Sequence, residues 1–492
     1  MKRFYISLSF LLMAASTAFA QETFDLLKYF QQESLGTARS MSMANALGAV
    51  GADLTAISIN PAGLGIYRRG EATATLNMAN TDMHSSGLDN NKFKTSFTNY
   101  GCVITCDMQE ESSLAYFNMA ITYNTKANFN RNTMIRQFDS PVSLLDNVVN
   151  DANLQNLAYK TYLLNSSYEP ILKDGETVNY AQKTVETGSH DAVDLALAFN
   201  YGYWFYGGIS LGIEDIEYAI KSIYSEDFAL GGSMNYTNAF SSSGTGLNLK
   251  VGAIFRLFPR LRLGISYHTP TIYSMTDLMQ DATMKSYDVL DDNNKSVNAT
   301  ESHNFDQVYY DYQMTSPQML VLSAAYQLGS KAIVSVDYEH TDYSTMGVYD
   351  AYGFLYEDLK QDIKDKTNAT DNIRVGVEWR ANNSLSLRGG YAHLDSPVKQ
   401  EVIAEYQNVY VPSLSPYYFI PTSKGGDVYS LGLGLKFGSW YFDFAYQYHQ
   451  RKVYNYPFYN NTRTDENGVM YNTASLTRMR QQNIAMSLGV RF

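Results

Sequence analysis

Ten ionisable side chains recur in stretches where apolar and polar residues alternate, and these are the groups best able to bind a charged ligand. Arginine and lysine side chains can hold an anionic head group, whereas nearby carboxylates can pair with the same cations. Because both signs occur, one interpretation is mutual pairing that fixes an interior segment, and the other is ligand binding by some of the cations. The ten residues are Lys250, Arg256, Arg262, Asp337, Glu339, Arg374, Glu378, Arg380, Arg388 and Asp443.

Histidines and catalytic motifs give little sign of catalysis. The seven histidines are scattered singly, and for His268 and His449 a structural hydrogen bond is a commoner role than metal or haem ligation. The sequence contains no Gly-rich phosphate loop, no HExxH, no paired cysteine ligands and no nucleophile elbow. We therefore expect no enzyme, no catalytic residue, no metal and no cofactor. We expect six polar residues to face the lumen, where they are candidates for contact with a ligand: Lys250, Arg262, His268, Arg374, Arg388 and His449.

Period-two alternation predicts that these side chains lie on β-strands. Between Leu247 and Phe255, for example, the apolar residues oppose Asn248, Lys250 and Gly252. Similar patterns occur at 115–123, 193–201 and 440–449. Fourteen strands are predicted, at about 70–80, 95–107, 113–124, 190–201, 203–224, 232–257, 260–273, 303–328, 331–343, 371–380, 385–394, 425–437, 439–451 and 477–492.

The lengths of the connections decide between two all-β architectures. A soluble β-sandwich also has one buried face per strand, but its two ends carry no systematic difference in loop length. Here short connections, such as Gly202 and Gly438, alternate with long ones, such as 125–189 and 395–424. This asymmetry is typical of an outer-membrane β-barrel, and an even strand count places both termini on the periplasmic side. The 41 tyrosines and 24 phenylalanines agree with aromatic girdles at the two membrane interfaces.

The N-terminal 69 residues do not alternate. Lys2 and Arg3 precede an apolar run that ends in small residues near Ala20, which predicts a signal peptide over residues 1–20. Residues 21–69 are rich in small residues from Gly36 onward, and they predict a hatch that plugs the lumen of the barrel, residues 70–492. A turn is expected at the end of the hatch, because proline fixes φ and glycine permits a close backbone approach. The predicted gating motif is Asn60, Pro61, Ala62 and Gly63.

The Asn-Pro-Ala motif after a small-residue segment resembles the hatch of the FadL-type outer-membrane transporters of hydrophobic compounds. Residues 244–270 and 316–343 resemble hairpins of the same family. The resemblance implies passive transport of hydrophobic small molecules, such as long-chain fatty acids or aromatic hydrocarbons, across the outer membrane of a Gram-negative bacterium. It further implies capture by extracellular loops and release past the hatch. Two alternatives remain open, a haem-binding receptor and a surface protein that the barrel only anchors.

The last strand and the net charge indicate partners. Apolar residues alternate up to the terminal Phe492, which resembles the signal read by the outer-membrane assembly machinery. The expected partners are therefore this machinery, outer-membrane lipids and a hydrophobic ligand. A net charge of −12 disfavours nucleic acid as a partner.

The sequence leaves open the ligand, its capture residues, any opening in the wall, the oligomeric state and the role of 125–189. Within that last segment, Asp146 to Tyr162 suits a short helix.

Overall fold

The computed structural model describes residues 23–30, 33–108, 113–150, 152–173, 175–303, 309–401, 418–457 and 474–492. The predicted signal peptide lies outside these residues. The described helices are short, and none has the length and apolar content needed to cross a bilayer as a helix. The α-helices are α1 (Thr23–Phe30), α2 (Ala38–Ser42), α3 (Leu54–Ile59), α4 (Ala152–Lys160) and α5 (Glu357–Lys366), and 3₁₀ helices span Pro61–Ile66, Leu144–Asn150 and Tyr343–Thr345.

Most of the described chain is antiparallel sheet. The strand segments are β1 (Glu71–Ser85), β2 (Leu88–Asp107), β3 (Leu114–Asn128), β4 (Arg131–Ser140), β5 (Val178–Tyr201), β6 (Phe205–Phe228), β7 (Ser233–Phe258), β8 (Leu261–His268), β9 (Ile272–Met279), β10 (Ala282–Leu290), β11 (Ser296–His303), β12 (Tyr309–Thr315), β13 (Gln318–Leu328), β14 (Ala332–Asp342), β15 (Gly347–Asp350), β16 (Ala369–Arg380), β17 (Leu385–Leu394), β18 (Tyr418–Phe437), β19 (Trp440–Tyr456) and β20 (Ser475–Arg491).

These segments form fourteen wall strands, because consecutive segments share one neighbouring strand. β3 and β4 both pair with β5, and β8, β9 and β10 all pair with β7. In the same way β11, β12 and β13 form one wall strand, and β14 and β15 form another. β1 pairs with β20, with Glu71 opposite Arg491, so the sheet closes into a barrel. The predicted fold class is confirmed.

The two faces of the wall follow the predicted alternation. On β7, Leu247, Leu249 and Val251 are exposed, whereas Asn248 and Lys250 are buried. β3, β5 and β19 show the same division at the predicted positions. An aqueous protein rarely exposes so continuous an apolar surface, and a ring of outward apolar side chains suits contact with lipid. All ten predicted interior charges lie on the inward face of the wall.

Two long segments predicted as loops are strands instead. Much of 125–189 extends β3 and β5 and adds β4, and 274–302 contains β9, β10 and β11. The loop interpretation was wrong there because these strand extensions carry mostly polar residues on their outward face and therefore lack the outward apolar stripe of the wall, although their inward face contributes buried apolar residues. α4 lies within the stretch where a helix was expected.

The extension of β3 to β7 beyond the apolar band carries its own core, which we call the cap. The cap packs α4 and the 3₁₀ helix Leu144–Asn150 against β5, β6, β7 and β10 around buried Leu145, Leu157 and Met284. At its centre the Glu226 carboxylate accepts hydrogen bonds from Ser143 Oγ and from Leu144 N, each at 2.6 Å. Burial raises the pKa of Glu226 to about 7.

The ends of the described chain lie at opposite ends of the barrel. Phe492 N donates to Gly70 O at 3.0 Å, beside the short turns. Thr23 Oγ1 donates to Asp362 Oδ2 at 2.6 Å, and Asp362 belongs to α5 in a long connection. Phe492 thus lies at the short-turn end and the first described residue at the long-loop end, and the periplasmic position of the termini stays a prediction.

Candidate functional site

The predicted motif at the end of the hatch forms a capped turn. Asn60 ends α3 and begins the 3₁₀ helix Pro61–Ile66, and its Oδ1 accepts from Ala62 N at 3.1 Å. Its Nδ2 donates to Gly48 O at 3.0 Å. Pro61 takes the first helical position, where a missing N–H costs nothing. The side chain of Asn60 therefore ties two parts of the hatch together.

The wall meets this turn with glycines, and we call this meeting the anchor contact. A Cβ on Gly208 would overlap the Pro61 carbonyl, and a Cβ on Gly252 would overlap Asn60 Oδ1. On the neighbouring β8, a Cβ on Gly264 would lie 3.0 Å from Gly48 O. Side chains of ordinary size on these three inward positions would hold the hatch away from the wall.

Three of the predicted interior residues hold the hatch at this side. Arg262 Nη1 donates to Val50 O at 3.1 Å, and His268 Nε2 bonds Ile59 O at 2.9 Å. Lys250 pairs with Asp194 at 2.6 Å. Asp194 in turn accepts from Ser58 Oγ of the hatch at 2.5 Å. The plainer interpretation of these charges, which is pairing that fixes the hatch, holds at this side.

On the far side the hatch is held by an ion network. Arg39 Nε of α2 pairs with Glu378 at 2.9 Å. Arg388 bridges Glu378 and Asp443, at 2.8 and 2.6 Å. Burial opposes the charge of Arg39, but the carboxylates of Glu378 and Asp53 raise the pKa of Arg39 above its ordinary value. Arg39 therefore stays charged, and it links the hatch to β16.

A cavity, which we call the upper cavity, lies between α1 and the wall on the long-loop side of the hatch. Phe30, Met319 and Tyr343 give it an apolar portion, and Arg374 and His449 belong to its polar portion. Its further lining residues are Lys126, His190, Glu214, Tyr273, Ser316, Pro317, Glu339, Thr341, Asn372, Leu394, Asp395, Ser396, Pro397, Thr422, Gly425, Gly426, Arg451 and Lys452.

The charges of the upper cavity are largely paired. Arg374 Nη1 lies 2.8 Å from Glu339 Oε2. Lys126 Nζ lies 2.5 Å from Glu214, which also accepts from His190 Nε2 at 2.9 Å. A paired cation still attracts an anionic group, but less strongly than a bare one does. The combination suits an amphipathic guest whose apolar part contacts Phe30 and Met319.

A second cavity, the lower cavity, lies on the short-turn side of the hatch. Most of its lining residues are polar or charged, and they include Arg388. The other charged residues around it are Arg39, Asp53, Glu71, Glu378, Arg380, Lys436, Asp443 and Arg491. An apolar solute would lose its favourable burial in such a cavity, because the surrounding groups are hydrated or ion-paired.

The six predicted interior residues are thus divided among three places. Lys250, Arg262 and His268 hold the hatch, Arg374 and His449 line the upper cavity, and Arg388 lines the lower cavity. The structure does not bring them into one site. Among described residues, no cluster of three or more histidines, cysteines or carboxylates is arranged to hold a metal ion.

Several contacts between hatch and wall have no charged side chain and were missed from sequence. Asn118 Nδ2 donates to Leu64 O at 2.8 Å, and Ala38 N donates to Ser487 Oγ at 2.7 Å. Gln447 Nε2 donates to Ser34 O at 3.2 Å. The available signal was the recurrence of small and amide side chains on the inward face of strands whose outward face is apolar.

Neither a scan against protein-family models nor a search of curated proteins matched this sequence. Solved structures do match. A FadL homologue from Pseudomonas aeruginosa aligns with a TM-score of 0.55 and 12% identity, over 94% of this chain and 99% of that chain. The toluene transporters TodX of Pseudomonas putida and TbuX of Ralstonia pickettii each align with a TM-score of 0.48. Their identities are 12% and 14%, over 93% and 92% of this chain and 98% of each of theirs.

The likeness to the FadL homologue extends over nearly the whole of both chains. At 12% identity it establishes the fold, which is that of the FadL-type barrel. The architecture expected from the hatch motif is therefore confirmed.

Proposed function

We propose that this chain is an outer-membrane channel through which hydrophobic small molecules enter a Gram-negative cell. Long-loop segments capture the solute, the upper cavity holds it, and movement of the hatch releases it. Long-chain fatty acids and aromatic hydrocarbons are the proposed solutes. The outward apolar ring of the closed wall supports a membrane location.

The observation that carries the proposal is the position of the upper cavity. The cavity joins apolar side chains, Phe30 and Met319, to cationic residues on the long-loop side of the hatch. Burying each CH₂ of a solute there contributes about 0.8 kcal/mol. A long acyl chain can therefore bind without a strong polar anchor. A carboxylate on the solute would face Arg374 or Lys126, whose carboxylate partners would have to share these cations.

Both predicted domains contribute residues to the upper cavity. The hatch, residues 21–69, contributes Phe30 to the upper cavity, and the barrel, residues 70–492, contributes the rest. Phe492, packed on Gly70 at the closing seam, is proposed as the signal for the assembly machinery.

Uptake by cells tests this proposal. In a strain that lacks the gene, plasmid-borne wild type should restore uptake of a labelled long-chain fatty acid or of toluene, and Met319→Trp should not, because the indole fills the cavity. Leu320→Trp is the matched control, since Leu320 is the adjacent residue on the opposite face of β13. Equal uptake with and without the gene, for both solutes, would overturn the proposal.

A further inference from the structure

The two cavities lie against the same sector of the wall, one above the other. On β16 the inward residues Arg380 and Glu378 line the lower cavity, and Arg374 and Asn372 line the upper cavity. The one inward residue between them is Gly376. Four residues of a strand cover roughly 13 Å, so the two cavities are separated by a thin layer of the hatch.

Neighbouring strands repeat this order. On β17, Arg388 lines the lower cavity and Leu394 lines the upper, with Gly390 and Ala392 between them. On β18, Gly432, Ser430 and Val428 lie between Gly434 of the lower cavity and Gly426 of the upper cavity. Gly376 lies directly opposite Gly390, whereas Gly432 lies opposite Arg388, one inward position nearer the lower cavity. Glycines therefore occupy neighbouring inward positions on three adjacent strands.

The layer between the cavities is α2 and the turn that follows it, residues 38–45, which we call the partition. A Cβ on Gly390 would overlap the backbone of Met43 and Ala44, and a Cβ on Gly376 would lie 2.8 Å from Met43 O. Met43 and Ala44 are fully buried. The partition approaches the wall this closely because β16 and β17 carry no side chain at the Gly376–Gly390 pair.

The backbone of the partition is unusual for its residue types. Ala44 and Asn45 have φ of 51° and 61°, which is the left-handed region that alanine rarely adopts. Asn45 holds this turn in place, because its Nδ2 donates to Leu35 O at 3.0 Å. The backbone hydrogen bonds from Met43 N and Asn45 N to Ser40 O run within the partition, so they can be kept when it moves.

The lower cavity carries cations in excess of its acids. Glu378, Asp443 and Glu71 are each paired with an arginine, and Asp53 accepts from Thr37 Oγ1 at 2.8 Å. Arg380 and Lys436 are exposed, and among the residues that the structure describes neither has a carboxylate partner. The upper cavity adds Arg451 and Lys452 on the other side of the partition.

We propose that the barrel contains a second, axial route, suited to small hydrated anions, which the partition closes in this structure. It is separate from the transport of hydrophobic solutes, since a charged lower cavity does not favour an apolar molecule. When the partition moves away from Gly376, Gly390 and Gly432, the upper and lower cavities join into one polar passage lined by arginine and lysine.

Planar-bilayer recording of the purified full-length barrel in potassium chloride tests the route. Gly390→Ala should convert a closed protein into one with steady open-channel conductance, because the new methyl group displaces the partition. Gly389→Ala is the first control, since its Cβ would lie 3.7 Å from Leu431 Cδ2 and displaces nothing. Gly208→Ala is the second control, because it creates an equal overlap at Pro61, which lines neither cavity.

Met43→Ala is the second test variant, for the case in which Gly390→Ala does not fold. It shortens one side chain of the partition and creates no overlap. Opening by Gly390→Ala or Met43→Ala with both controls closed supports the route. Equal conductance from Gly208→Ala, or closed channels from a folded Met43→Ala, would overturn it.

Selectivity tests the anion assignment. In a potassium chloride gradient the reversal potential of Met43→Ala should show preference for chloride. Replacing both Arg380 and Lys436 by glutamine should reduce that preference. A preference for potassium would overturn the assignment.

Discussion

The hatch meets the wall at two glycine-lined places that differ in what surrounds them. At the anchor contact, Gly208 and Gly252 receive Asn60 and Pro61, and a buried lysine–aspartate pair lies nearby. At the partition, Gly376 and Gly390 receive Met43 and Ala44, Gly432 receives Ser42, and a cavity lies on each side. Close contacts at glycines thus join the hatch to the wall in both places. The anchor contact is surrounded by buried groups, whereas the partition adjoins two cavities.

This difference indicates which side of the hatch is able to move. The anchor is fixed by a proline, a capping asparagine and buried polar bonds, and breaking them exposes groups with no solvent nearby. Around the partition, groups released from the hatch can bind water in the adjoining cavities. We therefore expect the hatch to pivot about the anchor, with the partition as its mobile end.

The largest difference should be in stability. Lys250→Met leaves Asp194 buried without its cation, and loss of one partner of a buried ion pair costs about 3–5 kcal/mol of unfolding free energy. Arg39→Met should cost only about 1–2 kcal/mol, since Glu378 keeps Arg388 and borders the lower cavity. Urea unfolding of the barrel in lipid vesicles measures both. Equal losses of unfolding free energy in the two variants would contradict the proposed difference between the anchor contact and the partition.

A middle-sized effect is expected at the turn of the anchor. Asn60→Ala removes a helix cap, which costs about 1 kcal/mol, and it also removes the bond to Gly48 O. Pro61→Ala frees a fixed φ, and Gly63→Val presses on Gly51, whose Cα would lie 3.1 Å from the new Cβ. All three variants should keep normal amounts of folded barrel and show reduced hydrophobic uptake.

Cell-surface labelling, heat-modified gel mobility and solute uptake check these variants together. Loss of the barrel would make the motif a folding element, and unchanged uptake would make the hatch an inert filler.

The smallest effect on the two contacts is expected from the cap, which lies outside both. Because the folded-state pKa of Glu226 is raised to about 7, the folded cap keeps this proton over a range in which the opened cap has lost it. Opening of the cap therefore becomes easier as pH rises from the ordinary glutamate pKa through about 7, and changes little above that. Hydrogen exchange of residues 142–164 at about pH 5 and about pH 8, corrected for intrinsic rates, measures this.

Glu226→Gln should remove that pH dependence while leaving the anchor and the partition unaffected. A cap whose protection is equal at both pH values in the wild type would contradict the assignment.

The sequence predicts the wall better than it predicts what the wall encloses. Alternation around Leu247, Leu249 and Val251 reports lipid contact, which is a local property of one strand. The turn at Asn60 and Pro61 was likewise predictable, because proline and asparagine act on their own backbone. The charges named from sequence do face inward, yet they belong to three different places.

The remaining features depend on which strands are neighbours and at what height. Gly376, Gly390 and Gly432 stand far apart in the sequence, and only the register of β16, β17 and β18 places Gly376 opposite Gly390 and Gly432 opposite Arg388. Nothing local in any of these glycines indicates contact with the partition. The two cavities are invisible in the sequence for the same reason, since each is bounded by residues from many strands.

The closing seam between β1 and β20 has a consequence for biogenesis. Ser487, on β20, bonds Ala38 N of the hatch, and Phe492 packs on Gly70, where the hatch passes into β1. The pairing of β20 with β1 therefore both closes the wall and completes its contacts with the hatch. A chain delivered from its N-terminus has its hatch available before the final strand arrives. We therefore expect the wall strands to assemble around the hatch, and the pairing of β20 with β1 to enclose it.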